Sequence, residues 1–266
     1  MMAKIGDQPY FIEQIEDARA TASIGRKVVL FKSTASTIDI AWKYASNAAN
    51  HGLCVLAESQ SKGRGRRGRS WYGNSGQSIL ASILLLDQLM EAELLTLTAA
   101  VATAETIQAF CKLPCRIKWP NDILVNNKKL AGILVEKKIV QEQHHFVIGI
   151  GINCNQPPAF FEIHDLRTPA SSLAIETGHF IDRTQFVCVL LEKLEEWIKK
   201  SHNSQTIITR WQQLSDLLGH PITVESNNQQ YNGFCRGVDP AEGLVVQLDT
   251  GSVRIFNANQ TSIIRA

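Results

Sequence analysis

The stretch RIKWPNDILVNNKKLAGILVEKKIVQEQHHFVIGIGI, residues 116–152, decides the fold. It divides into short runs rich in aliphatic residues: RIKW (116–119), DILV (122–125), LAGILVEK (130–137) and HFVIGIGI (145–152). Pro120 stiffens the turn between the first two and aims Asn121 and Asp122 out of the sheet. Asn126-Asn127 marks a hairpin-like turn, because Asn tolerates the backbone such turns require. Working outward, VVLF (28–31), LCVLA (53–57) and SILASILLL (78–86) predict three more strands, the second a continuous apolar run typical of a buried strand.

Helical spacing fills the gaps. Ser36 or Thr37 can N-cap a helix with Asp39 in its first turn and Ile38, Ala41, Ala45 and Ala48 on one face; Asn50-His51-Gly52 is predicted to end it. Residues 91–112 predict a long helix. Its apolar stretch 94–110 carries four Thr and Glu105, so it reads as a core helix rather than a membrane span. Residues 182–202 place Phe186, Leu190, Leu194 and Trp197 on one face, and a further helix spans about 205–218. At Gly219-His220-Pro221 the character changes to short β runs separated by turns (PITVE, YNGFCRGV, GLVVQL, SVRIF, TSIIR), which suggests a small β-barrel. The expected organisation is an N-terminal arm over 1–26 with room for one helix, a main domain over 27–218 and a small β-barrel domain over 219–266.

The 266 residues suffice for one large domain and a small one, and the 44% hydrophobic and 20% charged composition is that of a globular protein. A net charge of +2 gives no global field favouring nucleic acid or a membrane surface, so neither is expected as a partner. The six cysteines form no C-x-x-C pair and read as free thiols in a reducing compartment. The N-terminus MMAKIGDQPY lacks the apolar run of a signal peptide, so a cytoplasmic location is expected.

Three stretches can carry chemistry. KGRGRRGRSW (62–71), within a long loop over 59–76, interleaves Lys62, Arg64, Arg66, Arg67 and Arg69 with Gly63, Gly65 and Gly68. Glycine lets backbone approach a ligand, and arginine binds phosphate and carboxylate bidentately, so this is an anion-binding loop that repels itself when empty. Alone, it reads equally as a solvated basic loop or a nucleic-acid patch. KWPND (118–122) with KKLAGILVE (128–136) sets Lys118, Asn121, Asp122 and Lys129 toward one end of the sheet, although the same residues fit an ordinary polar hairpin. GIGIN (149–153) puts two glycines in an apolar strand, which favours close approach either by a ligand or by a packed neighbour. It is not a dinucleotide fingerprint, because Cys154 stands where the third glycine belongs and no helix follows.

Taken in order, S-T-x-D-x-A (36–41), Q-x-x-G-R-G-R-R-G-R-x-W (60–71), K-W-P-N-D (118–122), K-L-A-G-I-L-V-E (129–136) and G-I-G-I-N (149–153) resemble the biotin protein ligases over most of residues 27–266. The resemblance implies an α+β fold, with a central mixed β-sheet flanked by helices as in class II synthetases and a small C-terminal β-barrel. It implies an enzyme using ATP and Mg²⁺ to convert biotin into biotinyl-AMP, then transferring biotin to a lysine of a biotin carboxyl carrier protein, that of acetyl-CoA carboxylase. The chain is expected to act as a monomer or homodimer. Too few residues precede the first strand for a DNA-binding module of the kind dual ligase–repressors use.

Residue roles follow from the same resemblance. Biotin-binding positions are Ser36, Thr37, Ile38, Gln60, Gly63, Arg64, Gly65, Arg66, Lys129, Gly149 and Gly151. Nucleotide-binding positions are Arg66, Arg69, Trp71, Lys118, Asn121, Lys129 and Asn153, with Trp71 closing the ligand loop. Lys129, Arg66 and Asp122 are the expected catalytic residues, and Asp122 the expected Mg²⁺ ligand. Ile38 departs from the family, which often has Asn there. The turn NANQTS (257–262) is also less glycine-rich than the family pattern. The nearest other reading is a lipoate or octanoate ligase or transferase of the same fold, but the polar set Ser36, Thr37, Gln60 and Arg64 suits a ureido ring better than an acyl chain.

Overall fold

The computed structural model describes residues 9–20, 22–163, 166 and 168–265, except the side chains of Asn259 and Arg265. The first eight residues of the expected arm lie outside this set; the rest of the arm carries α1 (Ile12–Ala18). Strands β1 (Val28–Phe31) and β2 (Cys54–Ala57) flank α2 (Thr37–Lys43), and β3 (Ser78–Leu85) leads into α3 (Ala92–Cys111). Strands β4 (Arg116–Lys118), β5 (Asp122–Val125), β6 (Lys128–Val140) and β7 (Gln143–Asn153) follow as a meander. Short helices α4 (Pro158–Glu162) and α5 (Leu173–Thr177), which periodicity did not reveal, precede α6 (Arg183–Lys200) and α7 (Ser204–Leu214).

The main sheet has the order β1-β2-β3-β7-β6-β5-β4. Only β1 and β2 run parallel, joined through α2, so the sheet is mixed as expected. Asn126 and Asn127 both adopt positive φ (50° and 60°) in the β5–β6 turn, which fits a two-residue hairpin of the primed type.

Alternation along the strands sorts the side chains between two layers. Ile79, Ala81, Ile83 and Leu85 of β3, with Phe146, Ile148, Ile150 and Ile152 of β7, join the main core that includes α3, α6 and α7. On the other face, Val55, Leu84, Leu86 and Val147 pack against Ile38 and Ala41 of α2. A strand buried on both faces reads as a near-continuous apolar run, and in β3 only the buried Ser78 and Ser82 interrupt it. The helix α3 is long and apolar enough to cross a membrane, but 72% of that window is buried in the core, which is what its Thr and Glu content indicated.

Two expectations change. Helix α2 ends at Lys43 rather than at Asn50; Asn47 caps a separate turn over Ala48–Asn50 by accepting from the Ala49 amide. Asn competes well for local backbone donors, which favours a new turn over a longer helix. The C-terminal strands β8 (Pro221–Ser226), β9 (Gln229–Asp239), β10 (Gly243–Leu248), β11 (Val253–Phe256) and β12 (Thr261–Arg265) form an antiparallel sheet in the order β11-β10-β9-β8-β12. Among the described residues β11 and β12 do not pair, so this is an open five-stranded sheet where a closed barrel was expected.

Candidate active site

Where α2 stops covering the sheet, a cavity of about 280 Å³ opens over β3, β6 and β7. Its floor is a row of small or apolar positions held in register: Leu80 opposite Gly151, and Gly151 opposite Gly132. Gly151 exists there because Trp71 lies on it, and an added Cβ would come within 2.3 Å of the indole Cε2. One pair along, a Cβ on Gly149 would meet Ile38 Cδ1 at 2.6 Å. The strand glycines therefore serve close packing, but against two side chains that themselves line the cavity.

One end of the cavity is polar and uncharged. Ser36 occupies the N-cap position of α2, yet its hydroxyl makes no cap hydrogen bond, and the residue faces the cavity. The Thr37 amide and hydroxyl both donate to Gln60 Oε1 (2.7 and 3.0 Å), and Ser82 Oγ donates to Thr37 Oγ1 at 2.8 Å. This fixes the hydroxyl and amide groups before any ligand arrives.

The other end is charged. Arg66, Arg67, Arg69, Lys118 and Lys129 line it, Arg64 lies on the α2 side, where it binds Asp39, and Asp122 is the one carboxylate among the described lining residues. Lys129 reaches this face through a register shift between Ile123 and Leu124 of β5 opposite β6. Leu130 and Ala131, adjacent residues, both enter the core, so Lys129 shares a face with Gly132, whose added Cβ would be 3.2 Å from the ammonium. A bulge re-aims a side chain in this way. The ammonium stands 2.6 Å from Asp122 Oδ1 and 5.4 Å from the Trp71 ring centroid. The Trp71 Nε1 donor is buried with no partner among the described residues.

The basic loop is folded down at several points. Its ends are joined by Trp71 N donating to Gly63 O (2.9 Å) and Gly65 N to Arg69 O (2.7 Å). Arg66 donates to Asn121 Oδ1 at 3.1 Å and to the Ala258 carbonyl of the C-terminal sheet. Burial, reinforced by Arg67 and Arg69, lowers its pKa to about 10, although Asp122 opposes the shift. Arg67 donates to Ser262 Oγ at 2.7 Å and holds a left-handed backbone at φ 57°. Arg64 binds two carboxylates, Asp39 at 2.8 Å and Glu136 at 3.0 Å.

The cavity thus gathers Ser36, Thr37, Ile38, Gln60, Arg64, Gly65, Arg66, Arg69, Trp71, Lys118, Asn121, Asp122, Lys129, Gly149 and Gly151. Two expected site residues do not line it. Gly63 is buried beneath the Trp71 backbone, and Asn153 instead donates to the Lys129 carbonyl (3.2 Å), fixing the strand that carries the lysine. The sequence reading missed Gly132, although it lay within the quoted motif, and Ser262 and Ile263 of the C-terminal sheet. Nothing in a short β run marks which of its residues meets a loop about 190 positions earlier.

Residues 30–153 match the model of the Biotin/lipoate A/B protein ligase family. The chain is 32% identical to the bifunctional ligase/repressor BirA of Bacillus subtilis over 90% of its own length and 75% of that protein's. It is 31% identical to the biotin–[acetyl-CoA-carboxylase] ligase of Paracoccus denitrificans over 74% of its length and 85% of that protein's. Among solved structures it is similar in fold to a biotin protein ligase of Aquifex aeolicus in complex with biotin and ATP. That match has a TM-score of 0.76 at 23% identity, covering 91% of this chain and all of the other.

Proposed function

The chain belongs to the biotin protein ligases of the biotin/lipoate A/B protein ligase family, enzymes of the ligase class, and on that premise we propose that it activates biotin with ATP as biotinyl-AMP and transfers it to a lysine of a biotin carboxyl carrier protein. The observation that carries the reading is the polarity of one cavity: fixed hydroxyl and amide groups near α2, and Arg66, Arg67, Arg69, Lys118 and Lys129 with one carboxylate, Asp122, elsewhere in the lining. The first set suits a ureido ring, which offers both donors and an acceptor. The second suits two anions that must meet.

Activation joins the biotin carboxylate to the α-phosphorus of ATP and expels pyrophosphate. The carboxylate is already ionised at neutral pH, so no general base is required. What opposes the reaction is repulsion between anions, and what the site supplies is position and positive potential. Lys129 and Arg66 are the residues proposed to hold the carboxylate and α-phosphate oxygens. Arg69, Lys118 and Asn121 are proposed to hold the remainder of the nucleotide. Trp71, packed on the glycine floor, shields the mixed anhydride from water.

Mg²⁺ takes one or two protein oxygens and completes its shell with phosphates and water. A lone cavity-facing Asp122 fits that demand, and the ion would supply further charge neutralisation at the phosphates. In the transfer step the acceptor amine attacks the acyl carbon of the anhydride, AMP leaves, and the amine loses a proton, for which Asp122 is the proposed acceptor. We propose the cytoplasm as the location, and the arm 1–26, catalytic unit 27–218 and C-terminal unit 219–266 as its functional divisions.

The test is biotin-dependent exchange of labelled pyrophosphate into ATP. Exchange with biotin and not with lipoate or octanoate supports the reading. Exchange with lipoate or octanoate alone overturns it in favour of the neighbouring activity of the family.

A further inference from the structure

Arg64 stands in the ligand loop, yet its guanidinium is committed to protein carboxylates. Nη1 meets Asp39 at 2.8 Å and Nη2 meets Glu136 at 3.0 Å. The carboxylates come from different elements, Asp39 from the first turn of α2 and Glu136 from β6, the strand that also carries Lys129. Glu136 is itself held, because the Trp42 indole donates to its second oxygen at 3.0 Å, and Lys138 lies 4.4 Å from the Trp42 ring centroid. Trp42 is one turn along α2 from Asp39, so both anchors of Arg64 are fixed by the same short helix. Burial pulls the Arg64 pKa down, but hydrogen bonds to Glu136 and Asp39 outweigh it and the net shift is upward.

We infer that Asp39 and Glu136 are positioning residues for the ligand loop, acting through Arg64 to hold residues 62–71 down on the sheet. A loop with five cations has an intrinsic bias to open, since its charges repel one another. Two carboxylates outside the cavity relieve that repulsion without adding negative charge where the anionic ligands bind. Arg64 thus fastens the loop on the α2 side, while Arg66 fastens it to Asn121 and the C-terminal sheet. The contacts are partly exposed, with Arg64 at 37%, Asp39 at 47% and Glu136 at 30% side-chain exposure, so they bias a local equilibrium rather than underpin the fold. They are also accessible to salt, which screens exposed pairs.

The inference is tested first by amide hydrogen exchange in the free, full-length chain, a readout that does not rest on the proposed function. Asp39→Asn combined with Glu136→Gln is expected to speed exchange within 62–71 by about tenfold, leaving β3, β6 and β7 protected as before. Arg64→Ala should produce the same acceleration, and combining it with the carboxamide pair should add nothing. Arg64→Lys, which keeps the charge but cannot span both carboxylates, should recover part of the protection. In pyrophosphate exchange, a reading that does rest on the proposed function, the same variants should raise the KM for biotin more than they lower kcat. Loop exchange unchanged by the carboxamide pair, or increments that add to those of Arg64→Ala, would overturn the inference. An inactive wild-type chain whose loop still loosens on substitution would overturn the ligase reading alone.

Discussion

Lys129 Nζ lies 2.6 Å from Asp122 Oδ1, so a cation set over the glycine floor of the cavity and the one carboxylate among its described lining residues neutralise each other. A ligand anion competes for the lysine while a divalent cation competes for the aspartate, so anionic ligands and Mg²⁺ are expected to bind with positive coupling. Titrating ATP with and without Mg²⁺ measures it. In Asp122→Asn, which leaves Lys129 unpaired, the gain in ATP affinity from Mg²⁺ should shrink. An unchanged gain would remove Asp122 from the metal site.

Lys129→Ala should lose most activation while keeping the fold. A preorganised group facing developing charge contributes about 10²–10³ in rate, and the pair it breaks lies in the cavity and outside the hydrophobic core, so the fold should survive. The checks are pyrophosphate exchange and thermal unfolding on the same preparation. Exchange at the wild-type rate contradicts the role assigned to the ammonium.

Arg66→Gly should release the activated intermediate. Its guanidinium ties the loop to Asn121 and to the Ala258 carbonyl, so one substitution opens both fastenings. Biotin labelling of a bystander protein with many lysines should rise, and retention of the intermediate at the wild-type level would contradict the assignment. The group stays charged through neutral pH. Because burial holds its folded pKa below the ordinary arginine value, at about 10, its contribution to stability is flat through neutral pH and rises only in strongly alkaline solution, where the folded chain binds fewer protons at this site than the unfolded one.

Much of this was legible from residue order. The four runs of residues 116–152 became β4 to β7 with boundaries moved by a few residues, because turn chemistry at Pro120 and Asn126-Asn127 punctuates them. Lys129 was placed in the site by its motif and not by strand periodicity. Strict alternation would put it on the face of Ala131 and Ile133, in the core; the bulge opposite β5 reverses that, and a bulge leaves no mark in a single sequence. The open C-terminal sheet and its contacts to Arg66 and Arg67 were equally hidden, since they depend on pairing between segments distant in the chain.

The thiols should be nearly inert. Cys54, Cys111, Cys115, Cys154 and Cys235 are buried, and burial pushes Cys54 and Cys115 up to about 12 and Cys111 to about 11. The nucleophile is the thiolate, scarce at pH 8 for such groups. Alkylation under native conditions should modify Cys188, the half-buried one, first, and all six only in denaturant. Rapid native modification of Cys54 would contradict the packing.

Ile38 and Gly149 should behave as a suppressor pair. Ile38 stands where the family often has Asn, and its Cδ1 fills the space above Gly149, so Gly149→Ala forces a Cβ to within 2.6 Å of that methyl. Overpacking of this kind costs about 1–3 kcal/mol, and here it also displaces a residue lining the cavity beside Ser36 and Thr37. Ile38→Val removes the Cδ1 carbon alone, at about 0.5–1.5 kcal/mol. The double variant should therefore be more stable than Gly149→Ala by itself and should regain biotin affinity, although each single change weakens the protein. Thermal unfolding and biotin titration of the three variants read the coupling directly. Strictly additive losses would mean that Ile38 yields freely to a new Cβ, and that some other group sets the shape of this end of the cavity.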